Sequence, residues 1–295
     1  MEIKESILDT IGETPLVKIR ALNPHPTVNI YAKLEGFNPM GSVKERIALY
    51  MVEGAERDGI LRRGMTIVES SSGNTGIGLA MVGAVKGYKV LITMPRAVSI
   101  ERRKMIRAFG AKLVLVDGGS DAAWDKADEI ARSNPDKYCR LSQYIVPYNV
   151  EAHYKTTGPE IWRQTGGRMD YFVVGLGTTG TIMGAARFLK ERNPGLKVVA
   201  VEPQPGHKQQ GLRNMTTQRV PPIYDTSIVD ETIIVYDDDA FRMTRLLARK
   251  EGIFAGISSG TAMFAALELA RRVQNKDIVV IFPDRGDKYL SIRLF

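Results

Sequence analysis

Lys44 stands where a positive charge is least favoured. In "EGFNPMGSVKERIALYM" (35–51), Asn38, Pro39 and Gly41 mark a turn, and Ser42 with Glu45 has the S-x-x-E spacing of a helix capping box. That places Lys44 at the second helical position, in a first turn whose free N–H groups carry partial positive charge. An ammonium is disfavoured there and a neutral amine favoured, the form in which a lysine attacks a carbonyl.

Three glycine- and hydroxyl-rich turns surround this lysine in the chain. "VVGLGTTGT" (173–181) follows an apolar run and opens a helical pattern. Gly175, Gly177 and Gly180 fit G-x-G-x-x-G, and Glu202 lies about twenty residues on, the spacing of a ribose-binding acid in a dinucleotide site. "ESSSGNTGIGLA" (69–80) also lies at a strand-to-helix turn, with Gly73 and Gly76 allowing close backbone approach and Ser71, Ser72 and Thr75 offering hydroxyls. Its polar density exceeds what one helix cap needs. "AGISSGTAMFAALELA" (255–270) places Ser258 and Ser259 before another helix, where capping alone would also explain them. The hydroxyls of Thr178, Thr179 and Thr181 suit a terminal phosphate better than a pyrophosphate bridge. One phosphate, one carbonyl for Lys44 and a ring nitrogen for a serine together describe pyridoxal 5'-phosphate.

Other chemistries find less support. Cys139 is the only cysteine, so an internal disulfide is excluded; His25, His153 and His207 are the only histidines, and no Cys/His pair has the helical or knuckle spacing of a zinc site, so no metal is expected. The single cysteine fits a reducing cytoplasm. No signal peptide is visible in "MEIKESILDT", and no apolar run approaches the length of a membrane span. The formal charge is +8, densest in "ERRKMIR" (101–107). Met105, Ile106, Ala108 and Phe109 would supply the apolar stripe of that helix, with the charges on its solvated face. A nucleic-acid partner is not expected, since no basic strip is interleaved with aromatics.

The elements that must position these turns alternate along the chain. Strand-like runs at 66–70, 88–95 and 111–117 are followed by helical patterns at about 75–86, 99–109 and 120–133. A second series has strands at 170–175, 197–203 and 277–283. Continuous Val/Ile/Leu runs between amphipathic helices predict an α/β fold: two lobes of mostly parallel sheet covered by helices, breaking near Pro147. Residues 204–230, with three prolines, read as a surface loop.

The motifs "IGETPLVKI", "NPMGSVKER", "SSGNTGI", "TTGPEIW", "GTTGT", "KEGIFAGISSG" and "DRGDKYLS" occur in an order and spacing that resembles the cysteine synthases (O-acetylserine sulfhydrylases), end to end. The wording of "GTTGT", "KEGIF" and "DRGDKYLS" is nearest the cysteine synthase B branch. The resemblance implies the tryptophan synthase β-like fold of type II pyridoxal-phosphate enzymes. It implies an N-terminal lobe over 1–145, part of 1–35 packing on the other lobe, and a C-terminal lobe over 146–295. Lys44 would form the internal aldimine and act as acid and base at the α-carbon. Asn74 would meet the ring hydroxyl oxygen, Gly177, Thr178, Thr179, Gly180 and Thr181 the phosphate, and Ser258 the pyridine nitrogen. Ser71, Ser72, Gly73 and Thr75, with Gln143, would take the substrate α-carboxylate. The implied reaction eliminates a β-leaving group to α-aminoacrylate and adds sulfide, giving L-cysteine. A homodimer in the cytoplasm and closure of the smaller lobe over the substrate are implied too. Three positions depart from the commonest pattern: Glu45 for aspartate, Met40 for a small residue, and Ser71 for threonine.

Arg213, in "QQGLRNM", would accept a phosphate or an anionic sulfur donor such as thiosulfate, making O-phosphoserine at least as good a donor as O-acetylserine. Cystathionine β-synthase and serine/threonine dehydratase chemistry share the first half-reaction; the end of the chain at Phe295, without further regulatory domains, weighs against the former. A nicotinamide-linked oxidoreductase would leave "GSVKER", "SSGNT" and "GISSG" without a purpose. A non-catalytic binding protein would not need a reactive Lys44.

Overall fold

The computed structural model describes residues 3–292 and 294; Met1 and Phe295, the ends of the two expected lobes, lie outside these. Ten strands form two sheets among the described residues. The larger holds β1 (Leu16–Lys18), β2 (Val28–Leu34), β7 (Tyr171–Gly175), β8 (Lys197–Pro203), β9 (Glu231–Val235) and β10 (Lys276–Phe282) in the order β1-β2-β10-β7-β8-β9. Only β1 runs antiparallel. The smaller holds β3 (Thr66–Ser70), β4 (Lys89–Pro95), β5 (Lys112–Val116) and β6 (Tyr138–Arg140), all parallel, in the order β5-β4-β3-β6. Residues 16–34 therefore lie in the large sheet, although they precede the whole small one. The chain starts in one lobe, builds the other, and returns.

Among the described residues nine α-helices connect the strands: α1 (Lys44–Arg57), α2 (Asn74–Lys86), α3 (Ile100–Ala108), α4 (Ser120–Ser133), α5 (Pro147–Ala152), α6 (Gly158–Thr165), α7 (Gly180–Arg192), α8 (Asp237–Leu246) and α9 (Ile257–Ala270). The large sheet is covered on both faces. Val173, Val199, Ile278 and Val280 pack toward α8 and α9, whereas Phe172, Val174, Val198, Val279 and Ile281 pack toward α6 and α7. Side chains alternate across a strand, so a strand buried on both faces must be apolar throughout. This is why the apolar runs were legible. A separate core lies around the small sheet, built from Ile67, Val90, Ile92 and the inner faces of α1 and α2.

Three expectations are corrected. Regular helix hydrogen bonding begins at Lys44, which is therefore the first helical residue and not the second, with Val43 at the cap position. The Ser42–Glu45 pairing does form: Glu45 accepts the Ser42 N–H and hydroxyl, both at 2.9 Å, and the Ser42 hydroxyl accepts the Lys44 N–H at 3.2 Å. On α3, Ala108 is exposed and Arg102 is buried, because one edge of this helix faces the interior of the site and not solvent. The segment 204–230 is not simply a surface loop: Gln209, Leu212, Arg213 and Asn214 are buried, Gln209 against Val235 and Thr261 of the large lobe and Arg213 against Asp121 of the small one.

Candidate active site

The two sheets present the C-terminal ends of their strands to one cleft, a cavity of about 450 Å³. In parallel sheets these ends carry the loops and the helix N-termini that attract anions. Lys44, Ser71, Ser72, Asn74, Thr75, Gln143, Gly177, Thr178, Thr179, Thr181, Arg213 and Ser258 all line it. Gly73 and Gly180 complete their loops just behind the wall.

Lys44 is held in place by the segment that follows β10. The Val43 N–H donates to the Pro283 carbonyl at 2.8 Å, and Ser42 pairs with Asp284 as an isolated bridge. Lys288, fully buried, donates to the Gly41 carbonyl at 2.7 Å. Burial lowers the Lys44 amine to about 8, against the raising influence of Asp284, Glu45 and Glu35. The cause is mainly loss of water around the amine. Glu45, buried beside it, is pushed up to about 7 by the same loss, against the pull of Lys288.

The loop between β3 and α2 is folded around its own first serine. Ser71 Oγ accepts the N–H groups of Gly73 and Gly76, both at 3.0 Å. Gly73 has φ +148, and a Cβ there would collide with Arg102 Cδ. Thr75 donates to Gln143 Oε1 at 2.6 Å, and Gln143 Nε2 donates to the Ser70 carbonyl at 2.7 Å. The Gln143 amide thus braces the loop as well as lining the cavity. Arg102 donates to the Ser72 carbonyl at 3.3 Å and to Gln210 Oε1 at 2.7 Å. This arginine joins the small lobe to the large one and was not singled out from the sequence. Its only sequence signal was its place in the first turn of a helix that follows a β-strand; the run of like charges around it hid that place.

The loop between β7 and α7 forms the opposite wall. Thr179 caps α7 with φ +69, a left-handed position unusual for a β-branched residue. Gly180 is required for a different reason: a Cβ there would collide with Asn149 Oδ1. Asn149 is fully buried and donates to Thr178 Oγ1 at 3.1 Å and to the Gln143 carbonyl at 2.6 Å, coupling both loops. Thr181 meets His153 Nε2 at 3.2 Å, while His153 Nδ1 meets Thr157 at 2.9 Å. Burial, then Lys44 and Arg46, holds His153 well below its usual range, so it is a neutral support. Glu202 accepts the Met215 N–H at 3.0 Å, a loop anchor rather than a free ribose acceptor. Cys139 is buried and raised to about 11 by that burial, so its thiol is inert.

Arg213 reaches the cavity but is already paired. It donates to Asp121 at 2.9 Å, to the Arg219 carbonyl at 2.8 Å and to Ser120 at 3.2 Å. Its guanidinium lies 5.0 Å from the centre of the Tyr144 ring, which stacks on Trp124 at 4.4 Å.

The pattern of the family "Pyridoxal-phosphate dependent enzyme" matches residues 7–284. Cysteine synthase B of Pseudomonas aeruginosa is 46% identical over 97% of this chain and 96% of its own length. Cysteine synthase A of Escherichia coli is 45% identical over 97% of this chain and 94% of its own. The crystal structure of cysteine synthase from Entamoeba histolytica covers 100% of this chain and 91% of its own, with a TM-score of 0.94 and 41% identity. The chain belongs to the pyridoxal-phosphate-dependent enzymes of fold type II. Within them its place is among the cysteine synthases.

The residues present fit that cofactor. Asn74 Oδ1, in the cavity wall, is a buried polar atom without a partner, and buried polar atoms are rarely left so. Ser258 lines the cavity near the start of α9, and the N-terminus of α7 points an unfilled set of N–H groups into a threonine-rich turn. No helix of the described residues is long and apolar enough to cross a membrane, and no metal-binding cluster occurs among them.

Proposed function

We propose that this pyridoxal-phosphate-dependent cysteine synthase acts on O-phosphoserine at least as well as on O-acetylserine, with sulfide or thiosulfate as sulfur donor. The observation that carries this is Arg213, a buried guanidinium in the cavity wall beside the first turn of α4. It presents a planar fork suited to a phosphate or sulfonate oxygen pair.

The bound cofactor withdraws electrons from the α-carbon of the amino acid joined to it. Everything else falls to this chain. Ser71, Ser72, Gly73 and Thr75, braced by Gln143, hold the α-carboxylate at the start of α2. Lys44 Nζ takes the α-proton and later returns it; an amine at about 8 is a competent base near neutral pH. Gly177 to Thr181 hold the phosphate of the cofactor on the α7 N-terminus, Asn74 its ring hydroxyl and Ser258 its ring nitrogen. A neutral serine does not force that nitrogen to stay protonated, which favours β-elimination over transamination. The chain works as a cytoplasmic homodimer in this reading, consistent with one buried, unreactive cysteine.

The test is L-cysteine formation by the purified holoenzyme with sulfide and either donor. A kcat/KM for O-phosphoserine far below that for O-acetylserine would reject the donor assignment and leave the cysteine synthase reaction standing.

A further inference from the structure

Asp284 opens the motif "DRGDKYLS", to which no role is given above. It follows β10, is 2% exposed, and lines the cavity. Its Oδ2 accepts Asn74 Nδ2 at 2.7 Å and the Tyr289 hydroxyl at 2.8 Å, and lies 3.7 Å from Arg102 Nη2. Its Oδ1 is buried without a partner. Space is cleared for it: a Cβ on Gly256 would collide with Oδ1. Its backbone bridges to Ser42, two residues from Lys44.

We propose that Asp284 is a positioning residue for Lys44 and Asn74, orienting the Asn74 amide and placing its carboxylate in the cavity wall that the lysine amine shares. An ionised carboxylate can only accept, so it admits only the NH₂ side of Asn74 and leaves Oδ1 as the free acceptor. An opposite charge nearby restores the proton affinity that burial removes from an amine. The other groups around Lys44 do not replace it. Glu45 is protonated over part of the neutral range, and Glu35 is committed to Arg46. His153 is neutral, while Arg46, Lys288 and Arg102 are cations.

The inference rests on Lys44 being the lysine that binds the cofactor, and its test does not use turnover. In the apo-protein, acylation of Lys44 by acetic anhydride is followed against pH by peptide mass spectrometry. Asp284→Asn is expected to lower the labelling midpoint by roughly one pH unit. Tyr289→Phe, which keeps the charge, is expected to leave the midpoint in place. Affinity for pyridoxal 5'-phosphate, read by fluorescence, should fall about tenfold in Asp284→Asn, because the new amide also donates and lets Asn74 turn over. An unchanged midpoint, an equal fall in Tyr289→Phe, or unchanged cofactor affinity overturns the proposal. If Asp284→Asn does not fold, Arg102→Gln is the test of opposite sign. Removing that cation should raise the Lys44 midpoint, and a fall or no change overturns the proposal.

Discussion

Arg213, from the loop between β8 and β9, donates to Asp121 in the first turn of α4 at 2.9 Å, closing a clasp between the lobes across the cavity mouth. Arg219 extends it, donating to Asp125 at 3.0 Å and lying 4.9 Å from the Trp124 ring. Asp121 holds the place on Arg213 that the phosphate of the donor would take, so in the proposed reading the donor displaces it. Arg213→Ala is expected to lower kcat/KM for O-phosphoserine at least tenfold more than for O-acetylserine, about the worth of one charge-assisted hydrogen bond. Steady-state kinetics with both donors checks it, and equal losses would assign Arg213 to lobe closure alone.

Lys44→Ala should lose the visible absorption band of the lysine-bound cofactor. Turnover should fall by 10²–10⁴-fold or more, the usual worth of a positioned proton-transfer group. Absorption spectra of the wild type and variant, with cysteine formation measured on the same preparations, decide it.

Glu45 gives a pH dependence of definite sign. Its folded value of about 7 is above the ordinary carboxyl value of 4.5. The folded state therefore binds the extra proton, and stability from this group falls as pH rises between these values. Glu45→Gln removes that dependence. Its melting temperature relative to wild type should rise from pH 5 to pH 8, by the equivalent of up to about 3 kcal/mol. Thermal melts at the two pH values check the sign, which a relative fall would reverse.

Arg46 is the centre of a buried network joining the lobes. It donates to Glu35 at 2.7 Å and to Glu160 at 2.6 Å, and Lys33 donates to the same Glu160 at 2.7 Å. Arg46→Met would leave two buried carboxylates with one cation. A loss of about 3–5 kcal/mol is expected, against near neutrality if the network were exposed. Denaturant unfolding of the two proteins measures it.

Gly180→Ala inserts a methyl group against Asn149 Oδ1, in a wall that ties Thr178 to Gln143. A destabilisation of about 1–3 kcal/mol is expected. Weaker binding of pyridoxal 5'-phosphate should accompany it, read by fluorescence titration of the apo-protein; unchanged affinity would mean that Asn149 can move without disturbing the phosphate loop.

Much of this molecule was legible before folding. The strands at 66–70 and 197–203 and the helix at 120–133 fall where apolar runs and helical periodicity put them. Lys44 and the serine and threonine turns announced themselves because their residue types are concentrated at strand-to-helix junctions, a local property. Arg102, Asp284 and His153 did not. Arg102 sits in a run of charges, where only packing tells the buried one from the solvated ones. Asp284 accepts hydrogen bonds from Asn74, 210 positions away, and from Tyr289. The burial of Gln209 and Arg213 was hidden for the same reason, since a proline-rich segment reads as loop whether or not two lobes close on it.

The sequence by itself determined the class of fold, the cofactor, and where along the chain the lysine and the glycine- and hydroxyl-rich turns that face the cavity fall. These follow from periodicity and spacing, which are local along the chain. Only the tertiary structure decided which charges were buried, that Asp284 and Arg102 meet beside Lys44, and that Arg213 is clasped by Asp121. Desolvation and Coulomb interaction depend on distances between atoms, and the return of the chain from one lobe to the other sets those distances.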